Sequence, residues 1–158
     1  MREFQKSKVI LYINIIITSF LVSMGIICLA LMNKTTVFIG VDLYIIFGIA
    51  FFLFSIPFCT NIINYLLLPQ VVMTINKEDI IIHKRNKDVR IFSRKLLGVT
   101  KSNSFNFIYG LDAGTLKLLV ADEDKPYYIK NVDELDNVYQ ILNIIILDKF
   151  NQKRSALK

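Results

Sequence analysis

The stretch LLLPQVVMTINKEDIIIHKR, residues 66–85, decides the fold because an unbroken apolar run ends in it and a different pattern begins. Up to Leu68 the chain is continuously apolar, whereas from Val71 short β-branched segments are separated by the polar turn residues KED. Pro69 and Gln70 leave almost no linker between the two patterns. The sequence therefore predicts a change from apolar helices to β-strands, with the strands held close to a membrane.

Toward the N-terminus, residues 9–32 and 43–68 contain no charged side chain. Each segment is longer than the roughly 20 residues that cross a bilayer core. Only helices satisfy their backbone hydrogen bonds locally in hydrocarbon, so two transmembrane helices are predicted. The first apolar segment is too long for a signal-peptide core. Because the connector between the segments is short, we expect an antiparallel helical hairpin.

The distribution of basic residues predicts the orientation of this hairpin. The N-terminal segment, residues 1–8, is basic, and the part of the chain after Gln70 carries 15 basic and 11 acidic residues. In the connector, Lys34 and Asp42 cancel. Basic flanks stay in the cytoplasm, so we expect a multi-pass protein of the cell membrane with both termini cytoplasmic.

Small residues and cysteines inside the apolar segments are predicted to serve packing. Ser19 and Ser23 have the small-xxx-small spacing found where membrane helices approach each other. Cys28 and Cys59 both lie within the apolar segments, and no extracytoplasmic cysteine framework accompanies them. We therefore expect the two cysteines to be apolar packing residues rather than a disulfide.

The second half of the chain predicts about seven antiparallel strands in a sandwich or small barrel. The segment DVRIFSR alternates, with Val89, Ile91 and Ser93 on one face and Arg90, Phe92 and Arg94 on the other. A further strand is predicted over GVTKSNSFNFIYG, with Val99, Phe105 and Phe107. The segments TLKLLVA and YYIK follow, separated by the turn DEDKP.

A C-terminal amphipathic helix is predicted to follow the strands. Asn131 is the predicted N-cap, with Glu134 in capping-box position. One face of the helix is apolar at helical spacing and is expected to cover the sheet; it comprises Leu135, Val138, Tyr139, Leu142, Ile145 and Ile146. Ile144 and Leu147 fall on the opposite face. This pair is either tolerated in local packing or contacts a partner chain, a second copy or the membrane surface.

These elements resemble the bacterial PH-like membrane proteins. The resemblance covers residues 71–150 and the helical anchor, and it is carried by VVMTINKEDIII, RIFSRKLLGVTK and YYIKNVDELDNVYQIL. One departure is Asp79, at a turn where the family often has glycine. The resemblance implies a cytoplasmic PH-like domain over residues 71–150, followed by a basic tail over residues 151–158. It also implies a binding or scaffold role, in some members immunity to membrane-active bacteriocins, and it supplies no catalytic residues.

Residues that would support catalysis, metal binding or cofactor binding are sparse. His83 is the only histidine and is predicted to be a solvated strand residue. No Cys/His cluster or glycine-rich phosphate loop is present, and the acidic run Asp122–Glu123–Asp124 lies in a predicted turn without regular ligand spacing. The sequence therefore predicts a protein that is not an enzyme and that needs no cofactor and no metal.

The charge distribution suggests a binding face. Residues 77–101 carry eight basic and three acidic residues, whereas residues 112–136 carry three basic and seven acidic residues. Near an anionic leaflet, a basic face gains about 1 kcal/mol per Lys or Arg. The candidate face for lipid head groups or a partner comprises Lys84, Arg85, Lys87, Arg90, Arg94 and Lys95. The alternative is an ordinary solvated face; nucleic-acid binding is not expected, because aromatic and basic residues do not interleave.

Together these patterns predict a non-enzymatic membrane-anchored binding protein with a membrane-apposed PH-like domain. Its expected partners are membrane lipids together with a protein or a membrane-active peptide, and homo-oligomers are possible. The version that the resemblance favours is an immunity protein against a bacteriocin. A Gram-positive source fits the abundance of Ile, Asn and Lys, which is typical of AT-rich genomes. The alternative is an accessory or scaffold subunit of a membrane transport or secretion complex.

Overall fold

A computed structural model describes residues 1–31, 37–38, 41–76, 78–103 and 111–156. The chain divides into two compact units. One comprises Leu11–Leu66, and the other combines Met1–Ile10 with Leu67–Lys158. The second unit is therefore discontinuous in sequence, and the first is inserted into it. The predicted strand residues Phe105 and Phe107 lie outside the described residues, as do Lys77 and Lys34.

The inserted unit is built from two helices, α1 (Lys8–Ala30) and α2 (Leu43–Leu67). Between them, the short strands β2 (Val37–Phe38) and β3 (Val41–Asp42) form an antiparallel ladder. Both helices are long and apolar enough to cross a membrane, and only 11% of the most apolar window of each is buried. The two helices coincide with the predicted apolar segments to within two residues at each end.

Helices α1 and α2 contact each other at two glycines. A Cβ atom on Gly48 would lie 3.0 Å from Leu29 Cδ2 and 3.4 Å from the carbonyl oxygen of Gly25. A Cβ atom on Gly25 would lie 3.1 Å from the ring of Phe52. Ser19 and Ser23, the predicted small-residue pair, are both exposed. The contact between the helices therefore uses glycines, because only they leave room for a neighbouring backbone and ring.

The discontinuous unit contains two antiparallel sheets. The first has the strand order β1-β4-β5-β6 and the second the order β7-β8-β9. Their strands are β1 (Arg2–Gln5), β4 (Val71–Ile75), β5 (Asp79–Ile82), β6 (Val89–Phe92), β7 (Leu96–Asn103), β8 (Ala113–Val120) and β9 (Tyr127–Asp133). The predicted alternation in β6 is confirmed, because Ile91 and Ser93 are buried while Arg90, Phe92 and Arg94 are exposed. The architecture is thus a mainly-β unit with seven strands among the described residues of its two sheets.

The N-terminal strand β1 joins the two sheets. It pairs with β4 in the register Arg2↔Ile75 and Phe4↔Met73, and an isolated bridge joins Lys6 to Val132 of β9. Phe4 is 7% exposed and belongs to the hydrophobic core. The sequence predicts only a basic tail here, because a four-residue strand with one apolar residue gives too little periodicity to be recognised.

Helix α3 (Leu135–Ala156) follows the last strand directly and packs against β7 and β8. The predicted buried face is confirmed: Leu135, Val138 and Leu142 are fully buried, and Tyr139, Ile145 and Ile146 pack on the same core. The predicted N-cap is wrong. Strand β9 extends through Asn131, and the first turn is capped from outside, since the amide of Asp136 donates to Asp112 Oδ1 at 2.8 Å.

Candidate functional site

The turn between β5 and β6, residues 83–88, carries three of the six predicted basic site residues. Lys84, Arg85 and Lys87 are all exposed. The backbone amide of His83 donates to the carbonyl oxygen of Val72 at 3.0 Å. This hydrogen bond places the turn at the end of the sheet where β4 begins, next to Gln70. We refer to Lys84, Arg85 and Lys87 as the basic turn.

The residues through which the chain enters α1 and leaves α2 are bonded to each other at this same end of the sheet. The amide of Lys6 donates to the carbonyl oxygen of Gln70 at 3.0 Å, and Lys6 Nζ donates to the carbonyl oxygen of Leu68 at 2.7 Å. Burial lowers the pKa of Lys6 below its usual value, because desolvation disfavours the ammonium ion. Lys6 therefore has a structural role, because its ammonium group donates to a backbone carbonyl oxygen.

His83 anchors the basic turn to the sheet. Its Nε2 lies 2.9 Å from Thr74 Oγ1, and its Nδ1 lies 3.1 Å from Asp88 Oδ1. Its side chain is 24% exposed, so the predicted solvated residue is instead largely covered. An Asp–His–Thr arrangement also resembles a catalytic triad, in which an aspartate orients a histidine base that activates a hydroxyl nucleophile. Thr74, however, is 2% exposed, so its hydroxyl cannot reach a substrate and the three side chains serve to hold the turn.

Arg90 and Arg94 both lie close to an exposed aromatic ring. The guanidinium carbons of Arg90 and Arg94 lie 5.8 Å and 5.3 Å from the ring centroid of Phe92, whose exposed fraction is 43%. Asp79 is 4% exposed at its side chain and is ion-paired with Arg90. The hydrogen bond from Asn76 and the interaction with Arg90 hold the pKa of Asp79 below its usual value, against the opposing effect of burial.

The remaining predicted cation, Lys95, is paired. Its Nζ lies 3.2 Å from Asp122 Oδ2, in the turn between β8 and β9. At the far side of that turn, Lys84 Nζ lies 5.3 Å from the ring centroid of Tyr127. Desolvation and the neighbouring Glu123 carboxylate raise the pKa of Tyr127, whose hydroxyl donates to Glu123 Oε1 at 3.0 Å. The six cations therefore have different roles: three form the basic turn, Arg90 and Arg94 lie close to the Phe92 ring, and Arg90 and Lys95 each form an ion pair.

The second predicted contact surface lies on α3. Ile144 and Leu147 are 55% and 60% exposed, and Phe150, three residues further along the helix, is 53% exposed. Residues three apart are neighbours on a helix surface, so the three side chains form one apolar stripe. Phe150 was missed from the sequence, although its spacing from Leu147 was the available signal. We refer to Ile144, Leu147 and Phe150 as the apolar stripe.

In the part of the chain that the structure describes, no group of three His, Cys, Asp or Glu side chains lies close enough together to hold a metal ion. The basic tail, residues 151–158, contributes no described side chain beyond Asn151.

No protein-family model matches the chain, and comparison with curated proteins and with solved structures gives no match either.

Proposed function

We propose that this chain is a membrane-anchored, non-enzymatic binding protein whose discontinuous sheet unit is a PH-like domain at the cytoplasmic face of the cell membrane. The observation that carries this proposal is the insertion of two apolar helices between paired strands β1 and β4, with the basic turn at the same end of the sheet. The arrangement suits a domain that works on the membrane surface.

Membrane anchoring is supported by the exposure of α1 and α2. A core helix of a soluble protein is mostly buried, whereas the apolar windows of these helices are only 11% buried. Exposing that much contiguous apolar surface to water is unfavourable, whereas the hydrocarbon core of a bilayer accommodates it. The basic residues at both flanks favour a cytoplasmic position for both termini.

The PH-like assignment is supported by strand order. A four-stranded and a three-stranded antiparallel sheet, followed by a C-terminal helix that packs on the three-stranded sheet, is compatible with that fold. In this assignment β1 is the first strand of the domain and β4 the second, so the helical hairpin is an insertion between them. The residues predicted as the domain, 71–150, would then need residues 2–5 to complete it.

Contact with anionic lipid head groups is supported by the basic turn. Lys84, Arg85 and Lys87 are exposed and lie beside the residues from which the chain continues into the helices. Each cation near an anionic leaflet gains about 1 kcal/mol, so the turn would contribute about 3 kcal/mol at low salt. Arg94, by contrast, lies beyond the opposite end of the β5–β6 pair.

The chain contains no tryptophan, which permits a direct test of lipid contact. Asn86→Trp places one fluorophore in the basic turn, and energy transfer to a dansyl-labelled lipid reports its distance from the head groups. We expect stronger transfer in vesicles containing phosphatidylglycerol than in phosphatidylcholine alone, with loss of the difference at high salt. Changing Lys84, Arg85 and Lys87 to Gln should abolish it, whereas changing Lys117, Lys125 and Lys130 to Gln should not. Equal transfer in both lipids would refute the proposed contact.

The cellular role that we favour is protection against a membrane-active peptide, in which the anchored domain binds or blocks that peptide. Expression in a sensitive bacterial host, followed by challenge with such peptides, measures it directly. Increased survival that depends on the basic turn would support the role. Survival equal to that of cells carrying the empty vector would exclude it for the peptides tested.

The apolar stripe favours a second candidate, an accessory subunit of a membrane transport or secretion complex. Three neighbouring apolar side chains more than half exposed on α3 are a typical protein-contact surface. Cross-linking from Leu147 in native membranes should recover a specific partner that is lost in Leu147→Glu. Recovery of this chain alone would favour a homo-oligomer over the subunit role.

A further inference from the structure

A groove of about 600 Å³ lies at the opposite end of the β5–β6 pair from the basic turn. Its walls are the turn before β5, the end of β6 with the following 3-10 helix (Ser93–Lys95), and the C-terminal half of α3. The lining residues are Glu78, Phe92, Ser93, Arg94, Ile145, Asp148 and Lys149. The volume is within the range of sites that bind small molecules or short segments of chain.

Ser93, which lines the groove, is a polar residue that the fold leaves unsatisfied. It is 8% exposed, and its Oγ makes no hydrogen bond among the described residues. Its position is fixed by its own backbone, because its amide donates to the carbonyl oxygen of Glu78 at 2.8 Å. Because this Oγ is also closed to solvent, Ser93 shapes the wall of the groove and is not itself a contact for a bound group.

The groove also keeps charges of opposite sign apart. Elsewhere in this unit neighbouring acids and bases form ion pairs, as in Asp79 with Arg90 and Lys101 with Asp136. Within the described residues, Glu78 and Asp148 make no ion pair, although Arg94 and Lys149 line the same groove. Arg94 is held over the Phe92 ring at 5.3 Å, and Lys149 Nζ donates to the carbonyl oxygen of Leu96 at 3.0 Å.

We propose that this groove binds a short peptide segment that carries a carboxylate and a cation on either side of apolar residues. The carboxylate would be bound by Arg94 and Lys149, and the cation by Glu78 and Asp148. Apolar side chains between them would pack on Phe92 and Ile145. A segment of either single sign would be repelled by two of the four charged side chains that line the groove, so the charges favour a mixed sequence.

The position of the groove favours a peptide over a lipid head group. Phe92 pairs with Asp79, whereas the chain enters and leaves the helices at the end of the sheet marked by Gln5↔Val71. The groove therefore lies away from the residues that lead to the helices. The inference extends the proposed binding function and does not depend on the basic turn contacting lipid.

The test uses the full chain in phosphatidylcholine nanodiscs, with empty discs as background. Three fluorescent, end-blocked peptides differ only in their cores: Lys-Leu-Leu-Glu, Lys-Leu-Leu-Lys and Glu-Leu-Leu-Glu. We expect the mixed peptide to bind about tenfold more tightly than either other peptide, the effect of one charge-assisted contact. Absence of this preference would overturn the proposal.

Two neutralising variants and one control distinguish the groove from the rest of the surface. Glu78→Gln with Asp148→Asn should move the preference to the acidic peptide, and Arg94→Gln should move it toward the basic peptide. Lys130→Gln, at an exposed position of β9 outside the residues that line the groove, should leave the order unchanged. A change of order cannot arise from unfolding, which would remove all binding. If phosphatidylethanolamine in the discs abolishes peptide binding, the groove is a lipid site and the proposal fails.

Failure of this experiment and failure of the proposed function have different readouts. Energy transfer from Asn86→Trp reports the basic turn and is independent of Arg94 or Asp148. Loss of the mixed-peptide preference with intact lipid-dependent transfer would remove the groove proposal alone. Intact peptide preference without lipid-dependent transfer would keep the groove and remove the lipid contact.

Discussion

The backbone amide of Lys6 donates to the carbonyl oxygen of Gln70 at 3.0 Å. Lys6 lies two residues before the start of α1, and Gln70 lies three residues after the end of α2. Both ends of the inserted segment are therefore tied together by the sheet unit. The sheet unit cannot be completed until the chain has passed through both helices, because β1 precedes α1 and its partner β4 follows α2.

This arrangement predicts that residues before the first helix stabilise the sheet unit. Phe4→Ala removes a core side chain that is 7% exposed and should lower the free energy of unfolding by about 3 kcal/mol. Hydrogen exchange measured by mass spectrometry should show faster exchange in β4, its pairing partner. Gln5→Ala, at an exposed position of the same strand, is the control. Unchanged exchange in Phe4→Ala would mean that β1 contributes little to stability.

The capping of α3 gives a second prediction. Asp112→Ala removes the carboxylate that accepts from the amide of Asp136, and it should cost about 1 kcal/mol in unfolding free energy. Asp112→Asn keeps an oxygen acceptor and should restore most of the loss. Denaturant titrations followed by circular dichroism would measure both variants. Equal losses in the two variants would assign the effect to the charge rather than to the hydrogen bond.

Elements with long periodic patterns were predictable, and contacts between distant segments were not. The two apolar helices, the alternation in β6 and the buried face of α3 all follow from side-chain spacing within one element. The capping of α3 by Asp112, in contrast, depends on a residue 24 positions away from Asp136. Asn131 is a residue type that often caps helices, but it lies within strand β9, which continues to Asp133.

The candidate site was predicted in its composition but not in its arrangement. The six cations are close in sequence, which suggested a single basic face. The hairpin of β5 and β6 instead carries the basic turn at one end and Phe92 with Arg94 at the other, because the four-pair ladder runs from Ile82↔Val89, next to the turn, to Asp79↔Phe92. The groove could not be anticipated, since its walls come from three segments that only the folded chain brings together.

The ion pair of Asp79 predicts a dependence of stability on acid pH. Its native pKa is lowered, chiefly by the hydrogen bond from Asn76, so its contribution is fully present above the usual pKa of about 4. The contribution is lost as the pH falls through the lower native value, where the carboxylate becomes protonated. Asp79→Asn should be less stable than the wild type at pH 7, and the difference should shrink toward pH 2. Asp124→Asn, at an exposed turn position, is the control for changes in net charge. A constant difference across this range would show that ionisation of Asp79 does not stabilise the fold.

The glycine contact between α1 and α2 predicts a graded response to side-chain size. Gly48→Ala places a methyl group 3.0 Å from Leu29 Cδ2, the flexible end of a side chain that can turn away, so its effect should be small. Gly48→Leu must also displace backbone near the Gly25 carbonyl oxygen, 3.4 Å away, and should cost about 1–3 kcal/mol. Ser19→Leu makes a comparable increase in size on an exposed face and should be tolerated. Titration with a denaturing detergent, followed by helical circular dichroism, would measure the three variants in micelles. Equal losses in Gly48→Leu and Ser19→Leu would contradict a glycine-specific contact, because only the first substitution lies where the two helices meet.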